Sequence, residues 1–160
     1  MNWQAWLLWG FVATLALTTM LSGSQSLGLT RINIPYFLGT MFTPSRKLAK
    51  RYGFFIHMID GWLFALIFAF IFESWGHATW WAGGLLGAAQ AAFVLMVGMP
   101  LMPSFHPHMA TEEHGPTASR DLEPPGFMAL NYGVRTPVSI FLAHIVYGII
   151  LGAFYHVHGH

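Results

Sequence analysis

Four apolar stretches, each about as long as a bilayer is thick, constrain this chain more than any other feature. They run from about Trp3 to Leu21, Gly53 to Ser74, Thr79 to Leu101 and Pro137 to Tyr155. Crossing a hydrocarbon core of about 30 Å takes ~20 helical residues. The expected fold is therefore all-α: a polytopic membrane protein with four transmembrane helices in an antiparallel bundle. It forms a single transmembrane domain over residues 1–160, with connections at 22–52 and 102–136. Composition closes off the soluble alternative, because only 8% of the residues are charged against roughly 25% in a soluble domain.

The basic residues set the expected orientation. Arg31, Arg46, Lys47, Lys50 and Arg51 fall between spans one and two, and Arg120 and Arg135 between spans three and four. The positive-inside rule then places both long connections in the cytoplasm and both termini outside. Trp3, Trp6, Trp75, Trp80, Trp81 and Tyr155 gather at the opposite ends of the spans, where an interfacial aromatic belt belongs. No Lys or Arg precedes Arg31, so the first apolar run lacks the basic flank of a cleavable signal and reads as a retained span. The absence of cysteine excludes disulfides, thiolate zinc sites and cysteine nucleophiles. A net charge of +1 argues against nucleic acid as a partner.

The first connection mixes apolar and turn residues in RINIPYFLGTMF, a pattern suited to the membrane surface. Thr43 and Pro44 read as an N-cap followed by proline at the first helical position. The basic stretch SRKLAKRY then runs into span two, and such juxtamembrane clusters anchor to anionic lipid. The second connection carries Pro103, Pro107, Pro116, Pro124 and Pro125, which forbid a long helix. A loop of that length is functional or disordered.

Within span two, His57 and Asp60 interrupt GFFIHMIDGWLFALIFAFIF. A charge at the bilayer centre costs at least ~2.5–3.5 kcal/mol, so an intramembrane ionisable residue is a site hypothesis whose partner must be named. At 1.5 Å per residue, His57 lies about 6 Å and Asp60 about 10 Å from the cytoplasmic end of the span. His144 on span four lies about 10 Å in. Thr18 and Thr19 on span one reach a similar level, with Met96 and Met99 within reach from span three and Gln90 nearby. Gly61, Gly83, Gly87, Gly148 and Gly152 fall at four-residue spacings with other small residues, the signature of close helix packing in lipid. The polar residues therefore face the bundle interior.

Three uses of this layer compete. Asp60 can accept from His57 or His144 and clasp the helices in register. His57 and His144 can ligate haem b, or copper with thioether help. The carboxylate and imidazoles can also relay protons or ions. Two further histidine groups, His106, His108 and His114 with Glu112 and Glu113, and His156, His158 and His160 near Glu73 and His77, are weak metal candidates. Without cysteine neither matches a closed structural zinc site. No nucleophilic triad, phosphate-binding glycine loop or HExxH motif is present, so no hydrolase is indicated.

SIFLAHIVYGIILGAFY resembles the closing helix of a poorly characterised group of small four-span bacterial and archaeal membrane proteins. Its His-x-x-Tyr-Gly-x-x-x-Gly pattern falls here on His144, Tyr147, Gly148 and Gly152. GFVATLALTTMLSGSQSLGLTRINIPYFLGTMF is similar to that group's first span and interfacial segment. Some members are encoded near respiratory oxidases. The resemblance implies the four-span architecture and a setting in energy metabolism, and it brings no catalytic residues; the HPHM loop departs from it. The expected function is a non-catalytic accessory or assembly subunit of a larger respiratory or redox complex, or a homo-oligomer, in the cytoplasmic membrane. No cofactor is required by that reading. The alternatives are a haem- or copper-binding protein and a small proton or ion carrier.

Overall fold

The computed structural model describes residues 1–111, 114–120 and 122–158. The chain is all-helical, with no strand among the described residues and only two isolated backbone bridges. Four helices are long and apolar enough to cross a membrane: Trp3–Ser26, Arg46–Trp75, Trp80–Phe105 and Thr136–Phe154. Phe11, Phe55, Leu63, Leu85 and Leu142 are exposed on them. Such a surface is covered by lipid, and the chain is a multi-pass membrane protein.

Helix α1 (Trp3–Ser26) begins where the Asn2 side chain accepts from the Ala5 amide at 3.0 Å. It continues past the expected end at Leu21, and its last carbonyls are closed by the amides of Leu27, Gly28 and Leu29. Gly28, at φ +71°, supplies the left-handed turn that ends it. Helix α2 (Ile34–Gly39) is capped by Asn33, whose side chain accepts from the Tyr36 amide at 2.8 Å.

Helix α3 (Arg46–Trp75) runs unbroken for 30 residues, so the basic turns are part of span two. At about 45 Å it overreaches the hydrocarbon core, which leaves those turns at headgroup level. Its N-cap position is Ser45, and Pro44 lies outside the helix. Thr43 does not cap it, because its hydroxyl accepts from the Ser45 amide at 3.3 Å and is spent on a turn before the helix.

The third span is composite. Helix α4 (Trp80–Phe93), capped by Thr79, leads into a π-helical segment (Val94–Gly98) and then α5 (Met99–Phe105). The Met99 amide donates to the Val94 carbonyl, and this wider turn places Pro100 in the first turn of α5, where a missing N–H costs little. The span thus continues past the expected end at Leu101. Helix α6 (Thr136–Phe154) is the fourth.

Close packing runs from α4 to α6, from α6 to α1 and from α1 to α3. Glycine makes two of these contacts possible. A Cβ on Gly83 would strike the Gly148 carbonyl, one on Gly87 the His144 carbonyl, and one on Gly152 the Thr79 carbonyl. Between α1 and α3, a Cβ on Gly61 would strike the Thr14 side chain. The Trp6 indole donates to the Trp62 carbonyl at 3.1 Å, and the Trp62 indole returns a bond to the Leu7 carbonyl at 3.0 Å. Helices α3 and α4 are consecutive, yet they do not pack closely on each other. That seam creates the chamber described below.

The connection after α5 is folded rather than loose over its described residues. It lies against the segment around α2: the Arg31 amide donates to the Tyr132 carbonyl at 2.8 Å, and Arg31 also reaches the Glu123 carboxylate at 3.3 Å. The Phe37 ring lies 5.8 Å from His106 and 6.2 Å from Tyr132. A short 3₁₀ stretch (Phe127–Tyr132) holds Met128 and Ala129 at φ 54° and 57°, a left-handed conformation that non-glycine residues rarely adopt.

Candidate functional site

A cavity of about 250 Å³ occupies the space that α3 and α4 leave between them. His57, Asp60, Gly61 and Phe64 of α3 form one wall, and Gln90 and Phe93 of α4 with His144 of α6 the other. Leu17 and Leu21 of α1 and residues of α2 close it. The π segment contributes Val94 and Gly98, and α5 contributes Met99 and Met102. Breaks of this kind inside helices recur at functional sites because they re-aim the side chains that follow.

A hydrogen bond fixes the proton position on one imidazole. His144 Nδ1 lies 2.9 Å from the Ile140 carbonyl, which is an acceptor only, so the neutral ring carries its proton on Nδ1 and leaves a lone pair on Nε2. His57 Nδ1 lies 3.0 Å from the Thr18 hydroxyl, which also reaches the Thr14 carbonyl at 2.8 Å. Gln90 is buried, and its Oε1 has no hydrogen-bond partner. Asp60 has no hydrogen-bond partner among the described residues. An unpaired buried acceptor costs about 1–3 kcal/mol, and Gln90 Oε1, which has no accessible surface, carries that cost inside the packing rather than on the chamber wall.

The expected layer of His57, Asp60, His144, Thr18 and Gln90 thus comes together, with different pairings. Asp60 accepts from neither histidine, and the interhelical bond is His57 to Thr18. The link from α3 to α6 is instead made by Tyr147, whose hydroxyl donates to the Gly61 carbonyl at 2.6 Å. Met99 lines the chamber as its depth suggested, whereas Met96 and Thr19 turn outward. Phe64 and Phe93 were absent from the expected site, because apolar residues on an apolar helix give no signal of their own. Gly61 lines the chamber and carries the α1 contact, while Gly83, Gly87, Gly148 and Gly152 serve the α4–α6 interface.

The other histidines are elsewhere. His106 is buried, with Nε2 donating to the Phe37 carbonyl at 3.0 Å and Nδ1 accepting from the His108 amide at 3.2 Å. Nε2 joins the end of α5 to α2, and Nδ1 closes the turn that follows α5. Burial lowers its pKa below the usual histidine value, the bond to Phe37 opposes that, and His108 adds to it. His108 Nδ1 donates to the Ser119 carbonyl at 2.6 Å, and His114 is exposed. Tyr132, pushed up to about 12 by burial and then by Glu123, donates to the Glu123 carbonyl at 2.6 Å.

At the far end, Glu73 accepts from the Asn2 amide, the Tyr155 hydroxyl at 2.7 Å and the His158 amide at 3.2 Å. His158 and His156 are held there through their backbone, the His156 carbonyl accepting from the Asn2 side chain. Burial and then the bond to Glu73 push Tyr155 up to about 12. His160, Glu112 and Glu113 lie outside the described residues. Among the described residues no three His, Asp or Glu side chains converge closely enough to hold a metal ion. The groups near the chamber that could ligate a soft metal are His57 and His144 through Nε2 and the thioethers of Met99 and Met102. No family model, curated protein or solved structure matches the chain.

Proposed function

We propose that this chain is a ligand-binding accessory protein of a bacterial or archaeal cytoplasmic membrane, built as an antiparallel four-span bundle with both termini outside. The orientation rests on the seven Lys and Arg residues, all of which fall in the two long connections or in the first turns of α3 beside them. The antiparallel arrangement is supported by register. Leu7, Thr14 and Thr18 of α1 meet Trp62, Gly61 and His57 of α3, and Gly83 and Gly87 of α4 meet Gly148 and His144 of α6.

The binding reading is carried by one observation, the mostly apolar chamber between α3 and α4 with His57 and His144 in its lining, each with an Nε2 that makes no hydrogen bond among the described residues. A mostly apolar concavity with a few convergent polar groups is the usual form of a small-molecule site. The resemblance to small proteins encoded near respiratory oxidases supports a place beside a larger redox complex, with this chain supplying binding rather than chemistry.

Protein isolated in mild detergent from its native membrane, with its organic extract analysed by mass spectrometry, tests this. The wild type should carry close to one small molecule per chain, and His144→Phe should lose it while keeping its unfolding temperature. Identical extracts from the two proteins would overturn the reading.

A further inference from the structure

We infer that a second concavity, independent of the chamber, seats the phosphate of one anionic phospholipid. It has a volume of about 230 Å³ and opens between the end of α1, the α2 segment, the first turns of α3 and the connection after α5. Arg31, Arg46 and Lys50 line it, and among the described residues the lining holds no carboxylate. Guanidinium and ammonium groups offer donors and no acceptors, so the three cations call for an anion that accepts.

Two of the cations are held in place. The Arg46 guanidinium lies over the Tyr36 ring, 5.6 Å from its centroid. Arg31 donates to the Asn131 carbonyl and reaches the Glu123 carboxylate at 3.3 Å, which offsets part of its charge from the far side. Arg46 and Lys50 form no ion pair among the described residues. They stand four residues apart on one face of α3, a like-charge spacing that destabilises a helix. A phosphate between them turns that repulsion into attraction. Asn33 sets the neutral neighbour: its Oδ1 accepts from the Tyr36 amide, so its Nδ2 donates to Gln25 Oε1 at 2.7 Å. Gln25, also in the lining, is left with the donor Nε2.

Depth favours a lipid over a soluble anion. The apolar part of α3, Gly53 to Ser74, is about 33 Å long and fills the hydrocarbon core. The residues from Arg46 to Tyr52 extend about 10 Å beyond it, through the layer that holds lipid phosphates. Phe54 follows Lys50 at the same four-residue spacing and is partly exposed. This face of α3 therefore changes from cationic to apolar at the depth where a phospholipid changes from headgroup to acyl chain. Lys47 and Arg51, equally basic and on the same turns, do not line the concavity. A built site is thereby separable from a diffuse basic anchor.

Native mass spectrometry of the intact protein released from detergent micelles tests this, titrated with phosphatidylglycerol or with phosphatidylcholine of the same acyl chains. Phosphatidylglycerol should bind first as a single copy, at least tenfold more tightly than phosphatidylcholine. Two charge-matched double variants locate it. Arg46→Gln with Lys50→Gln should weaken that copy tenfold or more, whereas Lys47→Gln with Arg51→Gln should leave it within twofold of the wild type. Equal affinity for the two lipids, or equal losses from the two double variants, would overturn the site. Glycerol 3-phosphate, the same phosphate without acyl chains, should fail to displace the lipid at a hundredfold excess. Full displacement would assign the site to a soluble phosphate and overturn the lipid.

Discussion

His57 and His144 are each held by one hydrogen bond at Nδ1, and that bond decides what the other nitrogen can do. The pair His57 and Asp60 stood out in the sequence because charge in an apolar helix is costly. Counting rise per residue also found the right neighbours. It could not find the pairings, because depth along a helix says nothing about which rotamer a side chain takes or which backbone carbonyl competes for it. His106 teaches the same lesson in reverse. It read as a weak metal candidate, and its ring spends one nitrogen on joining α5 to α2 and the other on the turn after α5.

Burial keeps His106 below the usual imidazole value, so the unfolded segment takes up a proton more readily than the folded one. The stability of this contact is then complete above about pH 6.5 and is lost as pH falls from there toward the depressed folded value. Amide exchange across residues 37–40 and 106–109 should accelerate as pH falls below about 6.5, after correction for intrinsic rates, and His106→Gln should abolish that dependence. Protection that does not change with pH would contradict it.

Among the helices, the glycine stripes were the most legible feature, since four-residue spacing directly encodes a flat face. Gly83, Gly87, Gly148 and Gly152 all fall in the α4–α6 contact. Gly148→Val would drive side-chain atoms into the Gly83 carbonyl. Overpacking of this kind costs about 1–3 kcal/mol, and more when backbone must move, so unfolding in detergent should occur at clearly lower denaturant. Gly98→Ala meets open space and should be nearly neutral. Equal losses from both substitutions would contradict the interface.

The π segment at Val94–Gly98 was not legible, because one extra residue in a turn leaves no mark on an all-apolar pattern. The end of that span was misjudged because Pro100 is accommodated by the turn before it and Pro103 sits inside α5 without ending it. The connection after α5 was also opaque. Its order comes from long-range bonds to Arg31 and Phe37, which local proline content cannot reveal.

Taken whole, the molecule is a membrane protein whose spans were readable from length and hydropathy, while the opening between α3 and α4 was not. Consecutive helices usually pack, and only the observed order of contacts exposes the seam. The proposed orientation has a simple check, because the chain contains no cysteine. In intact cells a membrane-impermeant maleimide should label His77→Cys and spare Ser119→Cys until the membrane is opened. The reverse pattern would invert the topology.

The central claim, that the chamber binds a small molecule at its histidines, is tested most directly by nitrogen-15 NMR of the imidazoles in bilayers near neutral pH, assigned with His57→Gln and His144→Gln. The account predicts a protonated Nδ1 and an unprotonated Nε2 on His144, with that Nε2 resonance shifting when the molecule recovered from the native membrane is added back. A protonated Nε2 on His144, or an Nε2 resonance that ignores that molecule at saturation, would contradict it.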